Sequence, residues 1–287
     1  MICSDCPRDC GAIRTSEAGN GVCGYGTTAH IARAAPHFWE EPCVSGEKGS
    51  GTVFFCGCNL GCIYCQNGEI SRGTNRGRAV TPQQLRQIYF DLIEQGVHNI
   101  NLVTASHFTG AVVESLEGGL PVPVVYNCGG YEKIETLERL APCIDVWLPD
   151  LKYTDSALAA KYSQTPDYPE VAEAAILKMV ELTGDYMLDE DGLIQKGVII
   201  RHLILPGHLK NTYRAIDFVT EQFKPGQVLF SLMAQYTPMP NGDPGRKLNA
   251  SEYEAAQEYL FQSGIEDGFI QEPDSSGEEF IPDFKGT

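Results

Sequence analysis

From residue 52 onward the chain alternates short apolar runs with stretches whose apolar residues recur every three or four positions. The run at 52–56 (TVFFC) predicts a strand. Thr81-Pro82 opens a helix, with Thr as N-cap and Pro at the first position. Leu85, Ile88, Tyr89, Leu92 and Ile93 lay an apolar stripe along that helix, and Gly96 stops it. A strand at 99–104 (NINLVT) follows, and the same rhythm predicts strands at 122–126, 144–148, 198–205, 228–232 and 268–271. Helices are predicted at 132–140, 155–163, 169–182, 212–223 and 251–262, the last capped by Ser251. Repeated strand–helix units imply an α/β fold with a parallel sheet and right-handed crossovers. Six such units suit a partial (β/α)6 TIM-type barrel. In such a barrel the reactive groups sit where strands end and the following loops begin.

Residues 1–50 lack this rhythm and are rich in Cys and Gly, which predicts a metal-binding N-terminal extension ahead of a barrel at 51–272. Residues 273–287 are acidic and predict a surface tail that docks locally. The apolar fraction, 43% of 287 residues, supports an ordinary core, and no run approaches membrane-spanning length. With 38 acidic and 21 basic residues the net charge is −17, which repels phosphate backbones and argues against a nucleic-acid footprint. Met1-Ile2-Cys3-Ser4 has neither a basic start nor an apolar signal region, so a cytoplasmic location is expected. There, eleven Cys read as metal ligands or reduced thiols, not as a disulfide framework. Cys43 and Cys56 read as non-ligands, and Glu40 and Glu41 as a solvated pair beside Trp39, with substrate contacts as the alternative reading of the two carboxylates.

The segment that narrows the chemistry follows the first strand. Cys58, Cys62 and Cys65 are spaced C-x3-C-x2-C, with Tyr64 just before the last thiol. Iron–sulfur clusters normally take four Cys ligands. Three thiols with no fourth at short range would hold three irons of a cubane and leave the fourth open to a ligand that is not protein. A zinc loop and inert buried thiols are the alternatives. A second group, Cys3, Cys6, Cys10 and Cys23, has intervals that suit either zinc or an auxiliary 4Fe–4S cluster. Arg201 lies within an apolar run and is hard to bury unpaired.

The three-Cys loop with Tyr64 resembles the signature of the radical S-adenosylmethionine (SAM) superfamily. His37-Phe38-Trp39-Glu40-Glu41-Pro42, the stretch 99–106, Ile200-Arg201-His202-Leu203 and Met233-Ala234-Gln235-Tyr236 extend the likeness. They are similar to relatives of the pyruvate formate-lyase activating enzyme that carry an N-terminal four-Cys block. The resemblance implies a 4Fe–4S cluster on Cys58, Cys62 and Cys65, whose open iron binds SAM. It implies reductive cleavage of SAM to methionine and a 5′-deoxyadenosyl radical, which takes hydrogen from a substrate. The implied partners are a reductant such as flavodoxin or ferredoxin and, for an activase, a glycyl-radical enzyme.

The resemblance also assigns roles by position. Lys152 is expected on the SAM carboxylate, with Asp150 orienting it and Arg201 as a second carboxylate ligand. Asn127 is expected at the ribose or carboxylate, and Gln235 and Tyr236 at the adenine. Where the family has a Gly-Gly-Glu clamp for the SAM amino group, this chain has His107-Phe108-Thr109. Thr104, Ser106 and His107 are the candidate substitutes. Two other readings stay open: direct modification of a small molecule or peptide with help from an auxiliary N-terminal cluster, and a non-enzymatic iron–sulfur or zinc protein.

Overall fold

The computed structural model describes residues 2–239, 243–272 and Phe284. Its strands are β1 (Ala29–His37), β2 (Ser50–Phe55), β3 (Arg78–Val80), β4 (Ile100–Val103), β5 (Val124–Cys128), β6 (Val146–Pro149), β7 (Met187–Leu188), β8 (Ile194–Leu203), β9 (Leu229–Met233) and β10 (Gly268–Ile270). Its helices are α1 (Pro42–Ser45), α2 (Gly68–Ser71), α3 (Pro82–Glu94), α4 (Thr109–Ser115), α5 (Ile134–Leu140), α6 (Ser156–Ser163), α7 (Tyr168–Thr183), α8 (Leu209–Gln222) and α9 (Ala250–Ser263). The strand order is β10-β9-β8-β6-β5-β4-β2-β1-β3, with β7 paired to β8. From β2 to β10 along that path all neighbours are parallel, while β1 pairs antiparallel with β2 and β3. The sheet is curved like a barrel but not closed. The expected partial (β/α)6 barrel is therefore the fold, extended by β10 at one edge and an antiparallel pair at the other.

The parallel strands are buried on both faces, as crossover helices require. Every residue of β2, β4, β5 and β6 is buried. Thr81 forms a capping box with Gln84, so the predicted start of α3 holds. In α6, Asp155 accepts from the amides of Ala157 and Leu158. The cap of α9 is Asn249, not Ser251, because Asn249 and Glu252 close a capping box two residues earlier than expected. β1 falls within residues 1–50 and joins the main sheet, and α8 starts three residues before the predicted helix. The expected tail lies outside the described residues, apart from Phe284. That ring meets Phe54 edge-on at 5.4 Å, and its carbonyl accepts from Asn75 Nδ2 at 3.0 Å. Among the described residues no helix is long and apolar enough to cross a membrane.

His202 on β8 shows how closely the interior is specified. Its Nδ1–H donates to the Leu151 carbonyl at 2.6 Å, and Nε2 accepts from the Thr212 hydroxyl at 3.1 Å. Burial pushes its pKa down to about 4 from 6.5. Between those values the unfolded chain binds a proton that the folded chain refuses, so stability falls as pH drops below 6.5. From pH 6.5 to 5 this group is expected to cost about 2 kcal/mol. Urea unfolding at several pH values checks it: His202→Asn should flatten the acid limb, and an unchanged slope contradicts the assignment.

Candidate functional site

The loop after β2 is built around glycine. Gly57 has φ +86°, and a Cβ there would meet the Cys23 carbonyl at 2.8 Å and His107 Nε2 at 2.9 Å. Gly61, between the first two thiols, has φ +65°. Each of the three thiols receives a polar hydrogen. The Leu60 amide points at Cys58 Sγ (3.3 Å), Ser163 Oγ at Cys62 Sγ (3.0 Å) and Ser71 Oγ at Cys65 Sγ (3.6 Å). Burial and the neighbouring Cys62 raise the pKa of Cys65, and the same causes push Cys58 up to about 12. Such thiols give up their protons to a metal, not to water.

Across the barrel lies a network of buried charge. Arg201 on β8 donates from Nε to Asp150 Oδ1 (2.9 Å), from Nη1 to Glu40 Oε2 (2.9 Å) and from Nη2 to Asn127 Oδ1 (2.6 Å). Glu40 Oε1 also accepts from Asn101 on β4 and Asn127 on β5, each at 3.1 Å. Lys152 Nζ donates to Asp150 Oδ2 at 2.5 Å. Burial opposes ionisation of Asp150, but Arg201 and Lys152 outweigh it and hold its pKa below the usual range. The pKa of Glu40 is raised by burial in spite of Arg201.

Most of these groups, though not Cys58 or Asn101, line one solvent-open cavity of about 220 Å³. Cys62, Tyr64 and Cys65 line it together with the polar groups Asn127, Asp150, Lys152 and Arg201. Gln235 and Tyr236 line it beyond β9. Tyr64 also donates to the Tyr153 hydroxyl at 2.8 Å, which shares a hydrogen bond with Ser163 Oγ at 2.7 Å. The hydroxyl chain therefore runs from the cavity to Cys62.

Several sequence expectations need correction. Glu40 and Glu41 are not a solvated pair. Glu40 lines the cavity, and Glu41 is 8% exposed with a buried Oε2 that has no partner among the described residues. Arg201 and Lys152 both line the cavity, Arg201 with three of its five N–H donors on Asp150, Glu40 and Asn127 and Lys152 with one on Asp150. Thr104, Ser106 and His107 do not line the cavity. Thr104 sits at φ +62° with its amide on the Asn127 carbonyl. Ser106 donates to Glu132 (2.5 Å), and His107 Nε2 to the Cys56 carbonyl (2.8 Å). Burial lowers the pKa of His107 to about 4, so it is a neutral packing residue. Sequence reasoning missed Glu40 and Asn101. The available signal was Arg201 itself, whose burial demanded carboxylate partners.

The N-terminal thiols also gather. Cys6 lies within electrostatic reach of Cys3 and Cys23, and Cys23 within reach of Cys3 and Cys10. A Cβ on Gly21 would meet Cys10 Sγ at 3.2 Å and Cys23 Sγ at 4.0 Å, so glycine keeps that space clear. Arg14 Nη1 points at Cys3 Sγ at 3.4 Å. All eleven cysteines are free thiols. Among the described residues no three Cys, His, Asp or Glu side chains converge as ligands of one ion. The fit to metal therefore rests on donor chemistry: soft thiols, hydrogen bonds to sulfur, and space between them.

No family model matches the chain. An uncharacterized protein of Methanocaldococcus jannaschii is 27% identical over 221 residues, covering 73% of this chain and 61% of that protein. Streptococcus suis SuiB bound to precursor peptide SuiA has a TM-score of 0.55 at 17% identity, over 75% of this chain and 46% of that one. SuiB bound to S-adenosylmethionine gives 0.50 at 15% identity, over 75% and 48%. The chain spans about three fifths of that curated relative and under half of SuiB. The likeness shows that this chain shares the fold of the matched part of SuiB.

Proposed function

We propose that the chain is a radical SAM enzyme with a 4Fe–4S cluster on Cys58, Cys62 and Cys65. One observation carries the reading: Cys62 and Cys65 of the three-thiol loop line the same cavity, beyond the strand ends, as Lys152, Asp150 and Asn127. When bound, such a cluster supplies the electron that splits a sulfonium C–S bond of SAM. The chain's own residues do the rest. Lys152, held by Asp150, binds the SAM carboxylate, and Asn127 donates or accepts beside it. Arg201 and Glu40 fix Asp150 and Asn127 in place. Tyr64 and Tyr236, with ring centroids 5.9 Å apart, keep the adenine end apolar.

Anaerobic protein reconstituted with ferrous iron and sulfide, then given dithionite and SAM, is expected to release 5′-deoxyadenosine and methionine. If 5′-deoxyadenosine does not exceed that from iron-free protein, the reading fails. Lys152→Met is expected to weaken SAM binding roughly tenfold to a hundredfold, the range for one charge-assisted hydrogen bond. Calorimetry with the reconstituted protein measures it, and an unchanged affinity places the carboxylate elsewhere.

Two substrates suit this chemistry. The family resemblance points to a glycine of a partner enzyme, with flavodoxin or ferredoxin as electron donor. Direct modification of a peptide is the second reading. It is supported by the fold shared with SuiB, a protein seen with its precursor peptide, and by the aromatic side of the cavity at His37, Trp39 and Phe54. Deuterium transfer from labelled candidates into 5′-deoxyadenosine separates the two. The N-terminal thiols hold zinc or a second 4Fe–4S cluster in either case. Iron and zinc counts on the wild type and on a Cys3→Ala/Cys6→Ala variant distinguish these.

A further inference from the structure

Arg8 sits between Cys6 and Cys10, yet its guanidinium reaches out of the N-terminal block. Nε donates to the Asn59 carbonyl (2.7 Å) and Nη2 to the Leu60 carbonyl (3.0 Å), both between the first and second thiols of the cavity loop. Nη1 and Nη2 also donate to the carbonyls of Gln164 (2.7 Å) and Ser163 (2.8 Å) at the end of α6. Ser163 in turn hydrogen-bonds Cys62. Four neutral carbonyls from two segments are thus gathered by one cation. The last carbonyls of a helix lack intrahelical partners, so a cation there is favourable. A helix cap alone does not explain the two bonds to the thiol loop.

The block that carries Arg8 has little to hold it together. Between Ile2 and Gly26 the buried side chains are Ala12, Arg14 and Tyr25, while Ile2, Ile13 and Val22 are exposed. Lys133, just before α5, pairs with Asp9, Arg139 of α5 pairs with Asp5, and the Thr136 hydroxyl donates to the Asp5 carbonyl. Arg14 donates to the His107 carbonyl and Arg76 to the Gly24 carbonyl, whereas the exposed ion pairs contribute little. A segment with so small a core gains its order from metal bound at its thiols.

We propose that Arg8 is a positioning residue that makes the order of the three-thiol loop depend on metal at the four-thiol block. The block must then be loaded before the loop is held ready for its own cluster. This rests on the reading of Cys3, Cys6, Cys10 and Cys23 as a metal site, and it does not require that SAM be cleaved.

The test uses the full chain as a C58A/C62A/C65A variant, so that zinc cannot bind the loop itself. One equivalent of zinc is expected to bind and to slow hydrogen exchange at the amides of residues 63 and 65 about tenfold, a typical coupling between linked sites. With Arg8→Ala added, zinc is still bound but exchange at those amides no longer responds. Arg8→Lys, which can reach fewer carbonyls, gives an intermediate response. A merely structural arginine would change exchange equally with and without zinc. The proposal is overturned if zinc is not taken up, if it slows exchange equally without Arg8, or if it does not alter exchange at all. Since the variant carries no SAM chemistry, none of these results bears on SAM cleavage.

Discussion

Replacing any one of Cys58, Cys62 or Cys65 by Ala is expected to abolish 5′-deoxyadenosine formation. The reason is the number of donors. A cubane held by three thiolates already leaves one iron without a protein ligand, so two thiolates no longer retain it under reducing conditions. Among the described residues, Ser71 and Ser163 reach the sulfurs as hydrogen-bond donors. Cys62 is the strongest case. It is buried, it lines the cavity and it ends the hydroxyl chain from Tyr64. The variant should keep its fold, because Cys→Ala in a loop removes only one small side chain. Product assays, iron counts and circular dichroism together check this. Wild-type product levels from Cys62→Ala would refute the ligand assignment.

Arg201→Met is expected to destabilise the fold by about 3–5 kcal/mol, the cost of leaving a buried charge without its partner. Arg201 and Glu40 have side chains 13% and 9% exposed and Asp150 14%, so water cannot take the place of the guanidinium. Lys152 still offsets part of the charge on Asp150, whereas Glu40 keeps only its two amide donors. The loss should therefore be traceable to Glu40. Adding Glu40→Gln to Arg201→Met should recover part of the stability, because contacting groups are not additive. Urea midpoints of the two single variants and the double variant measure the coupling. A loss below about 1 kcal/mol, the level of an exposed pair, would show that the network is not a buried unit.

Much of this architecture was legible because local rules and tertiary packing agreed. Thr81, Pro82 and Gln84 mark the start of α3 by chemistry that acts within one turn, and the structure keeps it. The apolar runs that became β2, β4, β5 and β6 are readable because strands covered on both faces have no polar side to hide. β1 was not legible. Its sequence, Ala29–His37, is rich in small residues and alternates weakly, and it becomes a strand by pairing with β2 and β3 on either side. The missed cap of α9 has a similar cause, since Asn249 and Ser251 are both good caps and the reciprocal bond from Glu252 decides between them.

By itself the sequence determined the spacing of Cys58, Cys62 and Cys65, the alternation of the main strands and helices from β2 onward, and the presence of Asp150 and Lys152 just beyond a strand. Each of these is fixed within a few residues. Only the tertiary structure decided that Glu40 enters the barrel to meet Arg201, that His107 turns away to the Cys56 carbonyl, and that Arg8 reaches the thiol loop. Those contacts join residues far apart in the chain, with separations of 161, 51 and 52 positions for Arg201–Glu40, His107–Cys56 and Arg8–Leu60. Pairing of this kind follows from which buried charges and carbonyls must be satisfied once the sheet has curled, and no local pattern records it.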